Sequence, residues 1–187
     1  MRPVSKKRQE LMRKVKPIRD GLRAEVGRCE LCGCSRGMLD LHEICRGVNR
    51  SKALDKRFAL LVVCRRCHED LSSARVWPEA KQLAALAERR LFDFDLKVFL
   101  ELTNPRAPKR VTLDEVLQYM SDELLKVEEC AVKLRVNRRT IQSWIDSKEL
   151  SAIDVRPSGA ARSMWRVKPE DLLKFAQNRK SCAAKET

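Results

Sequence analysis

Histidine occurs twice in this 187-residue chain, tyrosine once, and aromatic residues make up only 5% of it. That leaves little material for a large aromatic core, and small aromatic-poor cores commonly need a staple. No apolar run reaches the ~18 residues that a bilayer span requires, and no short apolar stretch of signal-peptide type follows the first residues. A membrane partner is therefore not expected, and the chain reads as soluble and cytoplasmic.

Charge, by contrast, is plentiful. Charged residues form 35% of the chain and the net charge is +14. Like charge on that scale repels itself unless a polyanion offsets it, and nucleic acid is the first candidate. Residues 1–70 carry 18 Lys and Arg against 9 Asp and Glu, residues 71–104 carry 5 against 5, and residues 105–187 carry 17 against 12. Two basic regions flanking a neutral one suit two nucleic-acid-contacting modules with a packed spacer.

Cysteine is the staple at hand. Four of the eight cysteines form two CxxC pairs, Cys29/Cys32 and Cys64/Cys67, with 31 residues between them. Each such turn lets two sulfurs face one ion, and two turns complete the tetrahedron that Zn2+ prefers. Cys34 extends the first pair to CxxCxC as a possible substitute ligand, while Cys45, Cys130 and Cys182 read as buried or incidental thiols. Both histidines fall beside this framework: His42 in LDLHEICRG, and His68 directly after Cys67 in CRRCHEDL.

CELCG, then LDLHEI, then LVVCRRCHEDL resembles, in order and spacing, the HNH or ββα-metal endonuclease family in its four-cysteine form. The glycine-asparagine-basic loop RGVNRSK is also similar to that of some subtypes. The resemblance implies a structural Zn2+ on the four cysteines and a second divalent ion, Mg2+ or another metal, at a site that hydrolyses DNA phosphodiesters. It further implies His42 and His68 as ligands of that ion, with Glu43 in the position of the general base. A register shifted by one residue would make His42 the base. Asn49 could brace the loop, because the position where the family carries its asparagine is Ala59 here. The alternative is a zinc-containing DNA-binding factor, excisionase-like or regulatory, that has lost the cleavage chemistry.

The rest of the chain is read mainly as helix. Residues 1–28 are expected to be a basic arm with a short helix on Leu11, Val15, Ile18 and Leu22, interrupted at Pro17. Residues 29–103 form the zinc unit with packing helices, one starting at Pro78 and another near Asp95–Leu102. NPRAPKR, 104–110, has the composition of a linker. From 111 a short amphipathic helix leads into VEECAVKLRVNRRTIQSWIDSKEL, whose apolar spacing predicts two helices around a tight turn near Arg135–Asn137. A hairpin with PSGA as its turn follows, then a helix with Pro169 first. Residues 181–187 are expected to be disordered.

The run from Leu124 to Arg179 resembles excisionase-type, MerR-like winged helix-turn-helix domains. Asn137 is a suitable cap for the second helix, which then presents Arg138, Arg139, Thr140, Gln142 and Ser143 to a major groove. By the same resemblance, Arg156, Arg162 and Arg166 on the wing are candidate phosphate or groove contacts. Trp144 and Trp165 read as core aromatics. The fold class expected is α+β, mainly helical: a small zinc-stapled ββα-metal unit plus a winged helix-turn-helix domain at 111–180, acting on double-stranded DNA.

Overall fold

A computed structural model describes residues 6–45, 47–71, 76–103, 110–158 and 163–183. The chain is α+β and mainly helical, as expected. It opens with α1 (Lys6–Val26), which contains Pro17. The interruption expected at Pro17 does not occur. Pro17 lies on the exposed side of α1, where the carbonyl it strands can turn to water, while Val15 and Leu22 are buried on the other.

β1 (Leu39–Glu43) and β2 (Leu60–Cys64) pair antiparallel, with Asp40 opposite Val63, His42 opposite Leu61 and Glu43 opposite Leu60. Side chains alternate between the two faces of this ribbon. Leu41, Leu60 and Val62 turn to one face and form a small cluster with Leu22 of α1. Leu61 and Val63 turn to the other and join the main core. Asp40 and His42 share that second face, whereas Glu43 belongs with the leucines. A 3-10 turn, Gly47–Lys52, lies between the strands.

β2 runs directly into α2 (Arg65–Leu71), so the second cysteine pair straddles a strand end and a helix start. In α3 (Glu79–Arg89), Pro78 stands just outside the helix, one residue earlier than expected. Next comes α4 (Leu96–Leu102), capped by Asp95, which accepts from the Val98 N–H at 3.1 Å. The expected linker lies outside the described residues except for Arg110.

Beyond it, α5 (Leu113–Leu117) carries a reciprocal Thr112/Glu115 capping box. β3 (Leu125–Lys126) leads into α6 (Val127–Leu134), and α7 (Arg138–Asp146) follows across a turn in which Arg135 adopts φ 51°. That left-handed residue lets the Val136 N–H close back on the Ala131 carbonyl at 3.0 Å, which ends α6 sharply. β4 (Ile153–Asp154) pairs with β5 (Trp165–Val167), and β5 also pairs with β3, so the expected hairpin is the outer part of a three-stranded sheet. Of its predicted turn, Gly159 and Ala160 lie outside the described residues.

α8 (Pro169–Ala183) begins on Pro169 as expected but runs three residues into the segment read as a disordered tail; residues 184–187 of that segment lie outside the described residues.

One apolar core joins the two halves, running from Cys29 and Leu61 through Leu83 and Phe94 to Ile141 and Phe175. Polar contacts reinforce the junction: Gln177 donates to the Phe94 carbonyl at 3.1 Å, and Lys133 of α6 donates to the Glu88 carbonyl.

Candidate functional site

The four cysteines come together. Cys29 and Cys32 sit on a turn closed by Gly33 at φ 76°, where the Cys32 N–H approaches the Cys29 sulfur at 3.5 Å. Cys64 ends β2 and Cys67 lies in the first turn of α2. All four sulfurs lie within 4.8 Å of one another, and Cys32 and Cys64 are 3.8 Å apart. Backbone N–H groups favour the thiolate at two of the four: that of Cys34 is the main influence drawing the Cys32 thiol down to about 6, and that of Cys67 lowers Cys64, whereas burial pushes the Cys67 thiol up. Four converging sulfur donors with amides aimed at them fit a metal such as zinc. Among the described residues this is the one group of three or more metal-type donors that converges.

Glu30, inside the first knuckle, ties the site to the core. Its buried carboxylate accepts from the Val62 N–H at 2.7 Å and from Arg90 Nε at 2.7 Å. Arg90 also reaches Asp93, which Arg57 bridges in turn to Glu25 on α1. Burial pushes the Asp93 carboxyl up, but the Arg57 and Arg90 guanidiniums outweigh it and hold it below the usual carboxylate range.

Because α2 starts at the second knuckle, His68 is carried across to β1. Its ring stands edge-on to that of His42 with centroids 5.3 Å apart. Asp40 and Gln82 anchor the two rings. Asp40 Oδ2 lies 3.2 Å from His68 Nδ1, and Gln82 Oε1 lies 3.0 Å from His42 Nε2. Gln82 is itself oriented by donating Nε2 to the Trp77 carbonyl at 2.8 Å, so its oxygen is the atom that faces His42. Facing these acceptors, His68 donates through Nδ1 and His42 through Nε2. The histidines border a cavity of about 320 Å3, lined also by Glu43, Cys45, Gly47, Arg50 and Leu71.

Sequence reasoning missed Asp40 and Gln82. Asp40 was within reach, standing two residues before His42 on the same strand face. Gln82 gave no sign, lying between Lys81 and Leu83 in a helix read as packing.

Glu43 is not a solvated carboxylate. It is buried on the leucine face, where Arg19 Nη1 donates to Oε1 at 2.7 Å and Arg50 donates to Oε2 through Nη2 at 2.7 Å and Nε at 3.0 Å. Burial raises its pKa, but Arg50 and Arg19 together bring it below the usual carboxylate value. Ala59 is fully buried, and its carbonyl accepts the Ile44 N–H at 2.9 Å. Asn49 lies on the 3-10 turn; its side chain lies outside the described part.

In the C-terminal half, Asn137 caps α7 by accepting the Arg139 N–H at 2.9 Å. Arg138, Arg139 and Ser143 are exposed, Thr140 and Gln142 half-buried. Arg138 also meets Glu128 at 3.1 Å, and Gln142 donates to Asp146 at 3.0 Å. Ile141 and Ile145 face inward, so the exposed stripe of α7 is the polar one. On the wing, Arg156 pairs with Asp154 at 3.1 Å and Arg166 is half-buried; Arg162 lies outside the described residues. Trp144 packs on Phe175, ring centroids 4.9 Å apart, with the Arg179 guanidinium over the Trp144 ring 4.3 Å from its centroid.

The family model described as a helix-turn-helix domain matches residues 124–180. The C-terminal module is a helix-turn-helix domain. DNA is the partner that such a domain points to. No curated protein and no solved structure matches the chain. No helix among the described residues is long and apolar enough to cross a membrane.

Proposed function

We propose that the chain is a metal-dependent DNA endonuclease whose cysteine-stapled ββα unit hydrolyses phosphodiesters while the excisionase-like helix-turn-helix module holds it on double-stranded DNA. The observation that carries this reading is the 5.3 Å separation of the His42 and His68 rings beside the cysteine cluster. Two imidazoles bound to one ion through ~2.1 Å bonds place their centroids about 5 Å apart. His42 and His68 would hold such a divalent ion between them, and family enzymes of this kind use few protein ligands. When bound, such an ion supplies Lewis acidity, lowering the pKa of water and offsetting charge that builds on the phosphate.

The chain's own residues do the rest. Asp40 and Gln82 orient the two rings. Glu43, with both oxygens engaged by arginines, holds them in place and is not placed to take a proton. On α7, Arg138, Arg139, Thr140, Gln142 and Ser143 read the major groove, and Arg156, Arg162 and Arg166 contact the backbone from the wing.

The second reading, a DNA-binding factor that does not cut, draws on the same commitment of Glu43 and on Ala59 standing where the family carries asparagine. Supercoiled plasmid incubated with Mg2+, Mn2+ or Ni2+ separates the two. Nicking that requires a divalent ion and disappears in both His42→Ala and His68→Ala supports the endonuclease. Tight DNA binding with no nicking under any of the three metals sinks it in favour of the factor.

A further inference from the structure

Besides the two histidines, this cavity has one acidic and one basic side chain in its described lining, Glu43 and Arg50, and Arg19 reaches Glu43 from α1. Two guanidiniums thus share the carboxylate: Arg19 on Oε1, Arg50 on Oε2. The two arginines differ in kind. The Arg19 side chain is only 15% exposed and gives its remaining contacts to the Leu41 and Leu54 carbonyls at 3.3 Å, which fastens α1 to the strand and loop. Arg50 is 64% exposed and gives Nε and Nη2 to a single carboxylate oxygen. Its fork is thereby fixed in direction, and Arg50 lines the cavity with His42 and His68. A guanidinium held from behind by a carboxylate loses little freedom on taking a second anion in front, and its planar donors match phosphate oxygens.

We propose that Arg50 is the DNA-phosphate contact of the histidine cavity and that Glu43 is the positioning residue that aims it. The proposal deepens the reading of this cavity given above, but its test needs no cleavage. Arg19 supplies the charge that lets Glu43 stay ionised and buried while still holding Arg50, so the pair presents one net positive charge to a phosphodiester.

The test is salt-dependent binding of the full-length, metal-loaded protein to a labelled mixed-sequence duplex of about 30 base pairs without added divalent ion, because each neutralised phosphate contributes about 0.9 to the slope of log K against log salt. Arg50→Ala is expected to lower that slope by about 0.9 and to weaken binding roughly tenfold at low salt. Arg50→Lys retains the slope, since the charge remains. Glu43→Gln retains the slope but binds more weakly than the parent, because Arg50 is still charged and no longer aimed. Arg50→Gln, which can still donate to Glu43, serves if the alanine variant does not fold, and the same loss of slope is expected of it.

Arg50→Ala or Arg50→Gln with the parental slope overturns the phosphate contact, also if its melting temperature falls, which would make Arg50 a structural residue. Glu43→Gln binding as tightly as the parent overturns the positioning role. A protein that never nicks plasmid yet loses slope with Arg50→Ala refutes the endonuclease and keeps the contact.

Discussion

The two halves of the molecule are held together by different physics. Around residues 29–71 the strands are short, and what surrounds them is a knot of four cysteines plus two buried carboxylates, Glu30 and Glu43, each satisfied by arginine. In the helix-turn-helix half, Val127, Cys130, Ala131, Leu134, Ile141, Ile145, Leu150, Leu172 and Leu173 interdigitate, and its ion pairs lie at the surface. Exposed pairs contribute little, whereas a buried carboxylate without its cation is costly. The N-terminal half therefore depends on its cysteine cluster and on specific charges to a degree that the C-terminal half does not. That division suits the proposed reading, in which a chemical site built on polar residues stands beside a DNA-reading module built on an apolar scaffold.

Metal removal tests the contrast most severely. Structural zinc contributes about 10–16 kcal/mol of apparent folding free energy in small domains. Chelation, or Cys64→Ser, is expected to abolish amide-exchange protection in β1, β2 and α2 while α6 and α7 keep theirs. Loss of protection in all five elements together would show that the shared core, not the local scaffold, decides stability, and the contrast would fail.

The next largest effect lies at Arg90. This side chain, only 10% exposed, serves Glu30, Asp93 and the Leu60 carbonyl. Arg90→Ala leaves Glu30 buried inside the first knuckle with no cation, at a cost of about 3–5 kcal/mol. Chemical denaturation should show that loss, and Arg90→Ala with Glu30→Gln should recover part of it, because the uncompensated charge is then gone. No recovery in the double variant would assign the loss to packing.

How much of this was legible differs along the same line. The C-terminal half announced itself, since apolar residues at helical spacing, Asn137 as a cap and Pro169 as a first residue are local signals, and α6, α7 and α8 stand where they point. The cysteine pairs were equally plain. The polar half was harder because its partners are distant in sequence: Arg19 meets Glu43 across 24 residues and Arg90 meets Glu30 across 60. Strand alternation did carry one overlooked hint. Leu39, Leu41 and Glu43 are two apart, so a strand that buries the leucines takes Glu43 with them and leaves Asp40 and His42 on the other face. Pro17 misled because its effect depends on which side of the helix it occupies, and that is settled by packing.

The smallest effect refines the contrast at the start of α7, in the apolar half. Asn137 satisfies the Arg139 N–H, one of the donors left open at the start of α7, and its loss to alanine costs about 1 kcal/mol. The apolar core beneath, through Ile141 and Ile145, is untouched, so Asn137→Ala should shift the denaturation midpoint only slightly. The first turn it caps is also the turn that carries Arg138 and Arg139. If those residues read DNA from an ordered helix start, the variant should bind DNA several-fold more weakly, more than its stability loss explains, while leaving the cysteine cluster and the histidine cavity unaltered. Affinity equal to the parent's would mean that the start of α7 is organised by the DNA itself, and that the reading surface, unlike its scaffold, is not built in advance.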